Sequence, residues 1–273
     1  MTKSNKVIKS FGEEWQRFDQ SKLKDSELNK IYKDYFFIFP WHLIDKKSVG
    51  FDIGCGSGRW AKIVAPKVGE LNCVEPSLAI KVAKKNLKKH NNIKFFQSSI
   101  EDIELDNGTQ DFGYCLGVLH HTKNTQKNLD QCVSLLKKNA PFLVYLYYKF
   151  DNRNFIYFLI WKFSDFLRKI ISQLPEVLKN LISDLLALII YYPLAKISFV
   201  LDKINFNIKN IPLSYYRNLS FYTMRTDSRD RFGTSLEKRY TKKQVQDMLK
   251  KAGLHKIKFS KTAPYWCAVG FKK

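Results

Sequence analysis

The sequence predicts a doubly wound α/β fold, a mostly parallel seven-stranded sheet flanked by helices, with a helical insertion after the fifth strand. Three observations carry this. Short apolar runs alternate with amphipathic stretches from Ser48 to Phe150, the alternation resumes near the C-terminus, and a block rich in Phe, Leu, Ile and Tyr interrupts it between them. At 273 residues the chain has room for one full core with an elaboration of that kind.

Taken in order, residues 1–47 read as an N-terminal helical cap, 48–150 as the core, 151–239 as the insertion, and 240–273 as the closing helix and strands of the core. The core strands are Val49–Ile53, Leu71–Glu75, Ile93–Gln97, Phe112–Gly117 and Phe142–Tyr147. Helices fit between them over Arg59 to Lys67, Leu78 to Lys89 and Asn124 to Lys137. In the last, Leu129, Cys132, Val133 and Leu136 make a stripe at helical spacing. Near the C-terminus Thr241 can cap a helix that Gly253 ends, and His255–Ser260 and Trp266–Phe271 read as closing strands. Within the insertion the most apolar run, Leu185 to Ala195, lies between Asp184 and Lys196 and contains Pro193. It falls short of the roughly 20 residues that a bilayer crossing requires, so no crossing is expected.

Composition narrows the classes further. Cys55, Cys73, Cys115, Cys132 and Cys267 are scattered, with neither a Cys-x-x-Cys pair nor clustered His to complete a metal set. They read as reduced core thiols, and no metal is expected. The stretch from Met1 to Ser10 is basic and polar and lacks the apolar segment of a secretory signal, so the expected location is cytoplasmic. The formal charge of +22 suits a polyanion. Lysine spread through every segment beside abundant Asn and Ile favours compositional bias over a specific nucleic-acid site.

The chemistry begins where the first strand ends. Asp52 is followed by Gly54, Gly56 and Gly58, a loop whose backbone can approach a ligand before a helix begins at Arg59. Arg59 stands where a dinucleotide fingerprint wants its third glycine, which argues against NAD. Glu75, at the end of the next strand, can accept both hydroxyls of a ribose.

The run Val49-Gly50-Phe51-Asp52-Ile53-Gly54-Cys55-Gly56-Ser57-Gly58-Arg59-Trp60 resembles the first motif of class I S-adenosylmethionine (SAM)-dependent methyltransferases of the type-11, small-molecule and glycan kind. The likeness continues through Val74-Glu75-Pro76-Ser77, through Gln97 to Asp102 and through Gly117-Val118-Leu119-His120-His121-Thr122. It implies a Rossmann-like core with SAM as cofactor. By that resemblance Asp52, Gly54, Gly56 and Gly58 hold the methionine portion and Glu75 holds the ribose, with Cys55 and Pro76 also among the cofactor-binding residues. Ser99 and Ile100 flank the adenine, while Leu116, Gly117 and Val118 line the pocket floor. Phe11 to Phe18 resembles segments that fold over the cofactor, so Trp15 and Phe18 either cover the sulfonium or pack a helix on the core. Three positions depart from the family pattern. Ser99 stands where an Asp is common, Gly113 replaces another Asp, and Asn139-Ala140-Pro141 replaces a Pro-Gly-Gly turn.

On the acceptor side, His120 and His121 follow the fourth strand at the edge where open α/β sheets bind ligands. Either can serve as a general base or shape the loop. His42, His90 and His255 read as structural or surface residues. Tyr215, Arg225, Asp227, Arg229 and Arg231 close the insertion; arginine forks suit carboxylate, phosphate or sugar recognition. They form either a substrate-recognition loop or a salt-bridged anchor. The leading expectation is O-methylation of a small-molecule or glycan acceptor, which can be lipid-linked, with the insertion as a lid able to rest on the membrane surface at its cytoplasmic face. RNA methylation and a non-catalytic methyltransferase-like subunit are the alternatives.

Overall fold

The structure is a computed structural model that describes residues 3–273; Met1 and Thr2 of the basic N-terminal stretch lie outside the described residues. The chain divides into two compact units. Among the described residues, the first holds 3–20, 28–149 and 236–273, the second 21–27 and 150–235.

The first unit opens with α1 (Lys3–Arg17), and α2 (Asp25–Phe36) enters it at Leu28. A parallel series follows: β1 (Val49–Ile53), α3 (Ala61–Val64), β2 (Glu70–Val74), α4 (Ala79–Asn86), β3 (Ile93–Phe96), β4 (Phe112–Leu116), α5 (Thr125–Ser134) and β5 (Pro141–Tyr145). The strand order is β3-β2-β1-β4-β5 and then the two C-terminal strands. Of those, the last (Cys267–Lys272) runs antiparallel to β5, and the one before it (Leu254–Phe259) forms the edge.

This is the predicted mostly parallel seven-stranded sheet, each strand within two residues of its expected bounds. The local signals are visible in the coordinates. Asn124 caps α5 by accepting from the Lys127 N–H at 3.0 Å. Thr241 and Gln244 form a reciprocal capping box at the start of the closing helix, Lys242–Lys251. Residues 65–67 tighten into a 3₁₀ turn where Pro66 cannot extend α3. Strands buried on both faces, such as Phe112–Leu116, explain why they read as unbroken apolar runs. All five cysteines are buried thiols.

The second unit is helical: α6 (Phe155–Ile171), α7 (Glu176–Leu186), α8 (Tyr192–Lys203) and α9 (Phe221–Gly233), which makes the closing helix Lys242–Lys251 α10 of the chain. Two expectations need correction. Residues 187–191 form a π-helical turn that joins α7 to α8 without a break. The loosened hydrogen-bond ladder of that turn accommodates Pro193, so Glu176–Lys203 is one rod of 28 residues, long and apolar enough by length and composition to cross a membrane. The second correction concerns Tyr222 to Gly233, expected as a loop. Ser220 caps it by accepting from the Thr223 N–H at 3.3 Å, and it is the helix α9.

Candidate active site

Where β1 ends, the chain turns sharply enough that Gly54 (φ 75°) and Cys55 both donate their N–H groups to the Val74 carbonyl of β2, at 2.8 and 3.1 Å. A Cβ at Gly54 would lie 2.4 Å from Val118 Cγ2, so no other residue fits there without displacement. The next turn is tied to Glu75. One carboxylate oxygen accepts from the Gly56 N–H at 3.1 Å and the other from the Ser77 N–H at 2.9 Å. The carboxylate is thereby held in one orientation, with acceptor capacity left for a ligand. Gly58 then receives the Lys62 N–H at the start of the helix.

Above the loop, the Trp15 indole nitrogen sits 3.0 Å from where a Cβ of Gly56 would be, and the Arg59 guanidinium lies 5.3 Å from the Trp15 ring. Trp15 is therefore brought to the loop, whereas Phe18 is a buried packing residue.

The electrostatics of this corner are unusual for a core. Asp52 and Glu75 end neighbouring strands and are almost wholly buried. Burial pushes the Asp52 carboxyl up to about 8, against the Tyr114 hydroxyl that lowers it, and the nearby Glu75 charge raises it further. Glu75 is raised as well, by burial, while its bonds from Ser77 and Gly56 pull the other way. Two buried carboxyls that resist ionisation suit a cationic ligand, whose charge would restore their anionic form.

The remaining expected cofactor residues lie along neighbouring strand ends. Cys55 is buried with its thiol beside that of Cys73, and Pro76 is half-buried after Glu75. Ser99 caps a short turn, donating its hydroxyl to Asp102 at 2.7 Å and accepting the Glu101 N–H, while Ile100 is buried in the core. Ser99 thus engages the acids downstream of it. At the end of β4, Leu116 is buried and Gly117 (φ 83°) has open space where a Cβ would stand.

The two histidines follow Gly117 in a 3₁₀ turn, Leu119–His121, and their environments differ. The His120 ring is fully buried and stacked on Tyr147, with centroids 3.8 Å apart. Burial first, then His121 and Arg239, hold it well below the ordinary histidine range, so it is neutral at physiological pH. His121 Nδ1 lies 2.6 Å from the Leu236 carbonyl oxygen. A carbonyl only accepts, so Nδ1 carries the hydrogen and the neutral ring has its lone pair on Nε2.

Sequence reasoning missed the group around these rings. Arg239 pairs with Glu237 at 2.7 Å, lies 5.1 Å from the Tyr147 ring and donates to the Tyr148 carbonyl. Tyr145 extends the aromatic wall to Tyr35. The available signal was the Tyr145-Leu146-Tyr147-Tyr148 run, dense in aromatics for a strand end.

The five acceptor-side candidates belong to the second unit, and there each engages its own neighbours. Arg225 makes a two-pronged pair with Asp184 at 3.0 and 2.7 Å. Arg229 is fully buried and donates to Asn180 at 2.8 Å, and Arg231 meets Ser164 and Asp165. Asp227 accepts from the Tyr216 hydroxyl at 2.8 Å, with the Tyr215 ring edge-on to Tyr216. These bonds tie α9 to α6, α7 and the turn at Ser214–Asn218.

Comparison with known proteins agrees with this geometry. Residues 51–144 match the family model of a methyltransferase domain. No curated protein matches the chain in sequence. Among solved structures, a SAM-dependent methyltransferase of Thermotoga maritima is 12% identical, covering 96% of this chain and 100% of that one at a TM-score of 0.51. A candidate methyltransferase of Bacillus halodurans is 14% identical over 85% and 71% of the two chains, with a TM-score of 0.50. A Haloferax volcanii complex of the Trm112 methyltransferase activator with a candidate methyltransferase contains a chain 11% identical over 93% and 96%, also at 0.50. At these identities the likeness is one of fold.

Proposed function

We propose that this chain, which carries a class I SAM-dependent methyltransferase domain over residues 51–144, methylates a hydroxyl of a small-molecule or glycan acceptor. The observation that carries the cofactor half of this reading is the pair of buried carboxyls, Asp52 and Glu75, set around a glycine loop with Trp15 against it. When bound, SAM supplies a methyl group on a cationic sulfur. Glu75, already oriented by Gly56 and Ser77, accepts the two ribose hydroxyls. Asp52 accepts from the ammonium of the methionine portion, and the indole of Trp15 offers a π face to positive charge. Leu116 and the open space beside Gly117 border the cofactor, with Ser99 and Ile100 toward the adenine.

For the transfer itself the chain must hold the acceptor oxygen in line with the methyl group, exclude water and remove one proton. His121 suits the last task, because its Nδ1–H is committed to the Leu236 carbonyl and the basic nitrogen is Nε2. His120, neutral and stacked on Tyr147, positions the turn. Arg239 and the tyrosines beside it supply hydrogen-bonding and stacking surface for a hydroxylated acceptor.

The charge of +22 favours a second reading, methylation of RNA. One experiment separates them. SAM labelled in its methyl group is incubated with the protein and a cell extract, and the label is followed into RNA, small-molecule, glycan and lipid fractions. The expected result is label in a small-molecule, glycan or lipid-linked glycan fraction. His121→Asn should lose about 10²–10⁴-fold in rate with SAM affinity unchanged. Label confined to RNA would replace this reading with the second.

A further inference from the structure

The helical unit wears its apolar residues on the outside. All but three of the exposed large apolar side chains among the described residues, Phe37, Leu43 and Leu78, lie between Phe155 and Phe221. On α6 the exposed set includes Phe155, Leu159, Phe163, Phe166 and Ile170. Spacings of four and three residues gather these within an arc of about 80° on one helix face. On α7 Val177, Leu181 and Leu185, with Leu188 in the π-helical turn after it, repeat the same spacing, with Val177 at 78% exposure. The interior holds a small apolar core of Ile171, Tyr191, Ala195, Met224 and Phe232, with polar groups buried beside it. Ser183, Ser198, Ser228 and Arg229 are fully buried, and ion pairs join Arg168 to Asp165 and Arg225 to Asp184. Water is a poor solvent for such an exterior, since contiguous apolar surface of this extent marks a binding face.

The charges along that face identify its partner. Lys162 and Lys169, seven residues apart, border the α6 stripe, and Lys196 and Lys203 border the exposed apolar residues of α8; all four are exposed. The ammonium groups of Lys162, Lys196 and Lys203 lie over aromatic rings, Lys162 at 5.5 Å from Phe158 and Lys203 at 4.8 Å from Phe199. Of the carboxylates nearby, Asp165 pairs with Arg168 and with the exposed Lys169, and Asp184 pairs with Arg225. An apolar band edged by outward lysines matches acyl chains beneath anionic headgroups.

We infer that the helical unit, residues 150–235, lies in the interface of an anionic phospholipid bilayer, its α6 and α7–α8 faces among the acyl chains and its lysines at the headgroups. The rod Glu176–Lys203 is long enough to span, about 42 Å at 1.5 Å per residue. On α6, however, Lys162 and Lys169 edge the stripe within the helix, as a helix lying in the interface requires, and the body of the rod carries Asp184, paired with Arg225, where a spanning helix avoids charge. The inference is independent of methyl transfer, and its test needs no SAM turnover.

The test is flotation of the full-length protein with vesicles of phosphatidylcholine alone and of phosphatidylcholine with phosphatidylglycerol. The wild-type protein should float with the anionic vesicles. F155S/L159S/F163S and V177S/L181S/L185S replace exposed side chains and leave SAM binding intact, and each should reduce vesicle binding at least about tenfold. K162E/K169E should weaken binding to anionic vesicles most at low salt. Three results would overturn the inference: no flotation of the wild type, triple variants that float as the wild type does, or a lipid-independent dimer that these variants dissociate, which would assign the face to a second copy. Carbonate-resistant protein labelled from both sides of the membrane would overturn the interfacial placement in favour of a spanning one.

Discussion

In the sheet unit, Phe51, Phe112, Leu143 and Tyr114 are fully buried, and the acids Asp52 and Glu75 at the ends of β1 and β2 stand out against that apolar interior. In the helical unit the fully buried groups include Arg229 and Ser183, while Phe163 is 65% exposed. Both units bury charge, but to different ends. Asp52 and Glu75 stand at an open strand edge with raised carboxyls that a cation can relieve, whereas Arg225 and Arg231 meet their counter-ions inside the protein. A buried charge that lacks full compensation points to a ligand; one paired within the fold points to architecture.

That contrast can be broken most severely at Arg229. Its guanidinium donates to Asn180 in a fully buried setting, so Arg229→Ala should destabilise the helical unit by about 3 kcal/mol or more. Denaturant unfolding measures this. A cost below about 1 kcal/mol would show that the buried polar interior is not what holds these helices.

A smaller effect sharpens the other side. With its carboxyl raised to about 8, Asp52 is protonated in the ligand-free protein at neutral pH, so binding a cation there must release a proton. Calorimetry in buffers of different ionisation enthalpy should detect that release. SAM affinity should rise by up to about tenfold per pH unit between roughly pH 6 and 8, and Asp52→Asn should flatten the slope. The sign for stability is opposite. A carboxyl raised in the folded state favours folding fully below its unfolded value of about 4, and that contribution is lost as pH climbs through about 8. Ligand-free Asp52→Asn should therefore lose less stability than the wild type over that range.

The smallest effect is expected on the helical exterior. Leu181 is 54% exposed, so Leu181→Ser should change stability in water by no more than about 0.5 kcal/mol. A larger loss would mean that the outer stripe packs within the protein.

The same contrast explains what the amino-acid order reveals. The sheet was legible because local and global signals agree there: buried strands read as apolar runs, Asn124 and Thr241 mark helix starts, and three glycines with Glu75 mark the loop. In the helical unit the rules misled. Pro193 reads as a break, but the π-helical turn before it carries the helix through. The arginines of α9 leave recognition and anchoring both open, because an exposed fork and one paired across a helix interface look alike in sequence. Arg239 and Tyr147 escaped notice for a related reason. They meet only because β5 and the segment entering α10 are brought together, a contact of 92 residues' separation that no local pattern encodes.

The central claim, that the glycine loop and its two carboxyls form a SAM site, is tested most directly at Glu75. S-adenosylhomocysteine, which keeps the ribose but lacks the transferable methyl group, is titrated calorimetrically into the wild-type protein and into Glu75→Ala, with unfolding curves confirming that both are folded. The account predicts binding to the wild type and a loss of about 1.5–3 kcal/mol, roughly 10- to 150-fold, in the variant. Equal affinity in the two folded proteins would contradict it and remove Glu75 from the site.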